Sequence, residues 1–425
     1  MKPGMLGRAM KRAFALIAVA GCGSSQHATP PSADRYVVTA QRIYTAPDAP
    51  PLDDAWVEVD GGTIRAVGRG APPPGVRRDD ACSGGVITAG FQNSHVHFSP
   101  DVFGGAAQKP IAVIQPAITE LTTRWGFTTV LDTGSNPADT LPLRERIARG
   151  ELVGPAILTA GAPIYPEHGI PIYLRDLPPE ILAILPQPAT ADEARGVVAT
   201  NLAAGADATK VFVATPQGKG AIKRMAPDVV RAAVEETHRA GKLVIVHPTD
   251  PEGVTAAADA GVDIIAHTTI DPNPSIWSPE LIATLVAKHI SVVPTLQLWG
   301  YELAKANVPK DIVDKITREA EVQLAAFVKA GGQVLFGTDA GYMKTLDPTE
   351  EYMRLAEAGL TPMQILAALT TAPAARWNAS DRRGRVAEKL AADLVIVDGD
   401  PAADVRKFAA VKCTIRAGKP VFVRR

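Results

Sequence analysis

From Val86 to Asp339 the chain repeats one pattern: a short apolar run, then a longer amphipathic stretch of helical period. Apolar runs of strand length lie at Val86–Phe91, Thr128–Asp132, Ala156–Ala160, Ala208–Val213, Leu243–His247, Asp263–His267, Ser291–Thr295 and Val334–Asp339. Helical periodicity fills the gaps, among them Ala226–Ala240, Ser278–His289, Lys310–Ala330 and Thr361–Leu369. Ser278-Pro279-Glu280 supplies an N-cap followed by proline at the first helical position, and Thr361-Pro362-Met363-Gln364 reads as a capping box. Strands that are apolar along their whole length and alternate with helices belong to a parallel sheet covered on both faces. Eight such units are the number that closes a TIM (β/α)8 barrel. The gap between the third and fourth runs, Gly161 to Asp207, exceeds a single crossover and begins with the Pro- and Gly-rich I-Y-P-E-H-G-I-P-I-Y, an irregular loop at the end where barrel sites are built.

Both ends of the chain follow a different rule. Y-V-V-T-A, A-W-V-E-V-D-G-G and T-I-R-A-V-G are short strand-like pieces, with Asp60-Gly61-Gly62 as a hairpin signal; Leu394–Asp398 and Cys413–Val423, turning at Ala417-Gly418-Lys419, repeat the style. Neither end has the length for a domain. Residues 36–85 and 380–425 are therefore expected to combine into one small β-sandwich beside a barrel of residues 86–379. Cys82 and Cys413 fall in these two segments. A bridge between them is one reading; two buried free thiols is the one preferred from sequence.

The first residues are set apart. Lys2, Arg8, Lys11 and Arg12 precede the apolar run Ala13–Ala20, too short to span a bilayer, which is the layout of an export signal. Its end, Val19-Ala20-Gly21-Cys22, resembles the lipobox of bacterial lipoproteins. That resemblance implies cleavage before a lipidated Cys22, a flexible tether over residues 23–35, and an exported protein anchored at the periplasmic or cell-surface face of a membrane. Ordered structure is expected from about Tyr36. Apolar residues at 46%, charged residues at 21% and a formal net charge of -1 exclude a membrane bundle and give no electrostatic case for nucleic acid. The expected partner is a small molecule, with membrane contact only through the anchor; homo-oligomerisation stays open.

Barrel sites are assembled where strands finish, and the strand ends here carry a consistent set. His95 and His97 follow the first run at i, i+2, so they project the same way from a strand. Lys210 lies in the fourth run, His247 and His267 end the fifth and sixth, and Asp339 ends the eighth. Each alone is ordinary. Four of the chain's eight histidines at comparable positions, closed by an acid, are ligands suited to Zn²⁺ or a similar divalent ion.

As a set, V-I-T-A-G-F-Q-N-S-H-V-H, D-A-T-K-V-F-V, L-V-I-V-H-P, D-I-I-A-H-T, L-F-G-T-D-A-G and the C-terminal A-D-L-V-I-V-D-G-D-P resemble the metal-dependent amidohydrolase superfamily, in its branch of imidazolonepropionase-like enzymes and Xaa-Pro dipeptidases. The resemblance implies a distorted TIM barrel with a β-sandwich from both termini. It implies that His95, His97 and Asp339 hold one metal and His247 and His267 a second, with carboxylated Lys210 bridging two Zn²⁺. Asp339 would serve as ligand and as general acid/base while a metal-activated hydroxide attacks a carbonyl. The implied reaction is hydrolysis of an amide, peptide, cyclic amide or ester bond of a small molecule, as in a dipeptidase or N-acyl amino acid hydrolase. Tyr165, His168 and Arg175 in the long loop, and Trp299, are the candidate substrate contacts, Arg175 for a carboxylate. The loop reads Y-P-E-H-G-I-P where the dipeptidases carry a glycine-histidine run, a departure that bears on peptide specificity. Two alternatives stand beside this: a mononuclear deaminase, against which Lys210 argues, and a non-catalytic lipoprotein scaffold, which would have no need of Asp339.

Overall fold

A computed structural model describes residues 34–270 and 277–425. The expected signal, Cys22 and all of the tether but Asp34 and Arg35 lie outside the described residues.

The two ends of the chain do build one sheet. Strands Arg35–Ile43, Leu52–Asp60 and Thr63–Arg69 run antiparallel, the last two joined by the expected Asp60–Gly62 turn. Arg35–Ile43 pairs in parallel with Val86–Ala89, which pairs with Leu394–Val397, followed by Val411–Arg416 and Lys419–Val423. The alternating side chains Val38, Val57, Val59, Ile87, Leu394, Ile396 and Ile415 share one buried core, separate from that of the barrel. Within it Cys82 and Cys413 form a disulfide with Cα atoms 5.3 Å apart, which corrects the preference for free thiols. The bridge, across 331 residues, is the other of the two sequence readings, since both cysteines fall in the segments that build this sheet.

The first barrel strand also needs correction. Val86–Ala89 belongs to the terminal sheet, and the barrel begins with Phe91–Val96. The apolar run masks this switch because both strands are buried on both faces. Gly90 marks it: a β-carbon there would lie 2.2 Å from Thr128 Oγ1.

Strands Phe91–Val96, Phe127–Asp132 and Ala156–Thr159 form one parallel arc of the barrel; Ala208–Phe212, Leu243–His247, Ile264–Ala266 and Ser291–Val293 form the other. The arcs meet on one side through Ile164, which bridges to Val211. On the other side residues 334–340 close the barrel. Leu335 donates to Val292 (2.9 Å), Ser94 to Phe336 (2.7 Å) and His97 to Ala340 (2.8 Å). The expected eighth strand, Val334–Asp339, makes these isolated bridges instead of a ladder, which is the distortion of the barrel.

Helices occupy the expected gaps as Pro227–Arg239, Pro279–Ala287, Lys310–Lys329 and Pro362–Leu369. Ser278 caps the second of these, and Thr361 with Gln364 forms the capping box of the last. A hairpin of Ala214–Gly218 and Ala221–Arg224, absent from the sequence reading, rises from the fourth strand toward the long loop.

Candidate metal centre

The strand-end groups converge. His95 and His267 place their ring centroids 4.8 Å apart, His247 and His267 4.9 Å, and His95 and His97 5.3 Å. Asp339 Oδ1 lies 2.9 Å from His97 Nε2 and 3.4 Å from His95 Nε2. Lys210 is buried within the same wall, its Nζ 5.4 Å from the centroid of Phe212. His95, His97, Lys210, His247, His267 and Asp339 all line one cavity of about 340 Å³.

Local backbone geometry aims these groups. His267 (φ 71°) and Asp339 (φ 59°) both sit in the left-handed region as their strands end, which turns each side chain off the strand direction. Asn93 takes the His95 N–H with its oxygen (3.1 Å) and gives its amide N–H to Thr338 (2.8 Å), which ties the first strand to the closing segment. Gly341 follows with φ 96°; a β-carbon there would lie 1.8 Å from the His97 carbonyl oxygen. His267 Nδ1 lies 2.6 Å from Thr295 Oγ1, and that hydroxyl donates to the Pro294 carbonyl at 2.9 Å. The hydroxyl proton being committed, its oxygen accepts from Nδ1–H, so His267 carries its lone pair on Nε2.

Burial sets the protonation of the cavity's groups. Burial, reinforced by the positive charge of Lys210 and neighbouring imidazoles, drives His95, His247 and His267 well below the ordinary histidine range, so they are neutral donors. Burial likewise pushes the Lys210 ammonium down to about 7, against the pull of Asp339. Asp339 Oδ1, though close to two imidazoles, makes no hydrogen bond, and His95 Nδ1 is buried without a partner. A positive ion among these side chains would give the unpartnered Asp339 oxygen a partner. His95, His267 and Asp339 alone bring three donor atoms within 4.8 Å of one another. The donor set therefore fits a divalent metal of the zinc type.

The expected substrate residues divide. Tyr165 is buried in the cavity wall, stacked on Phe212 at 4.7 Å, which in turn stacks on His247. Trp299 lines the opposite wall, 6.2 Å from His267, with its indole N–H on Thr268. His168 and Arg175 are corrected: neither reaches the cavity. His168 is exposed beside Glu167, and Arg175 is exposed and bonded to Gln217 on the added hairpin. The long loop delivers Tyr173 and Leu174 instead. Tyr342 and Glu302 complete the wall. Tyr342 had a signal in lying three residues past Asp339, as did Glu302 in lying one helical turn past Trp299.

A parallel barrel that gathers four imidazoles, a lysine and an aspartate around one cavity defines the class as a barrel with a candidate metal centre. Residues 86–421 match the amidohydrolase family, and the chain belongs to that family. Ochratoxinase of Aspergillus niger is 24% identical over 238 residues, covering 54% of this chain and 48% of the relative, so the chain spans about half the length of the curated relatives it matches. Among solved structures, a Xaa-Pro dipeptidase with methionine in its active site superposes with a TM-score of 0.77 at 21% identity, covering 91% of this chain and 99% of that one. A prolidase complexed with N-methylphosphonate-L-proline gives 0.74 at 24% identity, covering 91% and 100%. These two likenesses are of fold.

Proposed function

We propose that the protein hydrolyses an amide-type C–N bond of a small molecule at a two-metal centre. His95, His97 and Asp339 would hold one divalent ion and His247 and His267 the other, with Lys210 as a carbamate between them. The observation that carries this reading is the buried lysine among neutral imidazoles. With its pKa pushed down to about 7, Lys210 has a large share of free amine at neutral pH, the form that adds carbon dioxide, and the product would be an anion that complements two cations. A mononuclear deaminase has no use for a lysine in this place.

Bound metal would supply Lewis acidity toward the carbonyl and a lowered pKa for water. The chain's own residues do the rest. Asp339, held by its N–H on the His95 carbonyl (2.9 Å) with Oδ1 beside His95 and His97, would take a proton on its carboxylate and return it to the leaving nitrogen. Phe212, Tyr165, Trp299 and Leu298 give the cavity apolar walls that exclude water from that transfer. His267 keeps its tautomer through Thr295.

The test is metal removal and reconstitution, followed by assay against dipeptides, N-acyl amino acids, simple amides, lactams and lactones. Reconstitution with Zn²⁺ and bicarbonate is expected to bind about two ions per chain and to restore turnover that Zn²⁺ in carbon dioxide-free buffer does not. In Asp339→Asn the expected loss of kcat is at least ~10³-fold with the fold retained by circular dichroism. One ion per chain with full activity sinks the two-metal reading, and an active Asp339→Asn sinks the role given to Asp339.

The N-terminal sequence adds a proposal about place, namely export and anchoring through lipid on Cys22. Its support is the basic, apolar and small-residue order that ends at that cysteine.

A further inference from the structure

Beyond the metal-type residues the cavity has an uneven charge. Among the described residues that line it, Lys210 is the one lysine or arginine, and it sits beside the imidazoles. Arg175, the group expected to meet a substrate carboxylate, is bonded to Gln217 outside. Residues 271–276, D-P-N-P-S-I, contain no lysine or arginine. The charged group on the outer wall is an acid, Glu302, which stands one turn beyond Trp299 on the helix Leu296–Lys305.

Tyr342 bonds that carboxylate, and Tyr173 and Trp299 line the same cavity. Tyr342 donates its hydroxyl to Glu302 Oε1 at 3.0 Å, and among the described residues no hydrogen bond reaches Oε2. Tyr173 packs edge-on to Tyr342 with centroids 5.6 Å apart, and Trp299 completes the wall. Ring faces are electron-rich and attract cations, and a carboxylate beside them adds its full charge where water is scarce. The same cluster already attracts an ammonium from outside. Half-exposed Lys305 places its Nζ 5.7 Å from the Tyr342 centroid and 3.8 Å from Glu302 Oε1, without lining the cavity. Inside the cavity a substrate carboxylate beside Glu302 would meet like charge, with Lys305 outside the lining and already turned toward Glu302.

We propose that Glu302 and the rings of Tyr173, Trp299 and Tyr342 form an ammonium subsite, so that the substrate is an apolar amide carrying a cationic nitrogen at its distal end. This rests on the amide-hydrolase reading and adds the substrate class to it. No covalent step involves Glu302; it selects and orients.

Three matched amides that differ only at a distal substituent (trimethylammonium, tert-butyl or carboxylate) test the subsite in the Zn²⁺-loaded enzyme. The first two have the same shape, so their ratio reports charge. The ammonium compound is expected to exceed the tert-butyl compound about tenfold in kcat/KM, with the carboxylate compound poorest. In Glu302→Gln that preference should collapse toward unity, carried by KM, while Lys305→Met, which removes a competing ammonium, should raise it. Benzyltrimethylammonium, followed by titration calorimetry in the Asp339→Asn protein, gives a readout independent of turnover: Glu302→Gln in that background should weaken its binding about tenfold. A carboxylate compound turned over best, or a preference unchanged in Glu302→Gln, overturns the subsite and leaves the hydrolase reading standing. No turnover of any amide alongside intact ammonium binding overturns the hydrolase reading instead.

Discussion

Glu351 is a carboxyl group buried with little to keep it charged. Its Oε2 accepts from the Gln297 N–H at 2.8 Å, while Oε1 is buried without a partner. Through that contact it caps the helix Leu296–Lys305, whose own N-cap residue Thr295 makes no side-chain cap. Burial is the largest influence on Glu351 and pushes its pKa up to about 8. The unfolded value is about 4.3, so folding favours the protonated acid; its contribution is full below about pH 4 and is lost as pH rises through 8. Gln keeps the acceptor and never ionises. Glu351→Gln is therefore expected to match the parent in unfolding free energy near pH 5 and to exceed it by about 1 kcal/mol or more at pH 9. Urea titrations at the two pH values check this, and a difference that does not change with pH would refute it. The same residue-scale logic explains why the site was partly legible in sequence. The strand ends announced His95, His97, Lys210, His247, His267 and Asp339, because a period of two and a barrel fix where such residues go. The left-handed turns at His267 and Asp339, which aim two of them, leave no mark on a non-glycine residue.

At the scale of elements, the closing segment 334–340 holds the barrel together with few bonds and tight contacts. Gly341 combines positive φ with close approach to the His97 carbonyl, whereas Gly359, after the helix Thr349–Glu357, has a similar φ of 89° and open space around it. Comparing alanine at the two positions separates backbone conformation from crowding. Gly359→Ala is expected to cost about 1 kcal/mol, from φ alone. Gly341→Ala must also displace the strand end that bears His97, so a cost of about 3 kcal/mol or more, with weakened metal retention, is expected. Equal costs by urea unfolding would show that crowding at Gly341 is relieved elsewhere. Elements whose signals are local were readable: Thr361 and Gln364 announced a helix start because a capping box closes on itself within four residues. Elements defined by partners were not. The run from Val86 changes sheets at Gly90 without changing its hydrophobicity, and the long loop's choice of Tyr173 over His168 and Arg175 depends on packing against the hairpin Ala214–Arg224 rather than on any periodicity.

Taken whole, the molecule is a barrel whose floor is sealed by a sheet made from both ends of the chain. Gly90 N–H donates to the Asp393 carbonyl at 2.7 Å, Thr414 Oγ1 to the Thr123 carbonyl at 2.7 Å, and Arg416 Nη1 to the Gly154 carbonyl at 3.1 Å, so the sheet shares polar bonds with the barrel. The Cys82–Cys413 bridge sits in the core of that sheet, joining the approach to Val86–Ala89 with the strand Val411–Arg416. Closing a loop of this length removes much of the freedom of the unfolded chain; the entropic estimate is on the order of 5 kcal/mol, and native bridges deliver about 2–5. Freeing the C-terminal strands would also expose the apolar side chains beneath them, so sheet and barrel should lose stability together. Dithiothreitol, or the double variant Cys82→Ala with Cys413→Ala, is therefore expected to lower the unfolding temperature by several degrees for the whole molecule in a single transition. Thiol titration of the denatured, unreduced protein should find neither Cys82 nor Cys413 free. Two titratable thiols would remove the bridge, and a separate low-temperature transition on reduction would show that the sheet unfolds without the barrel.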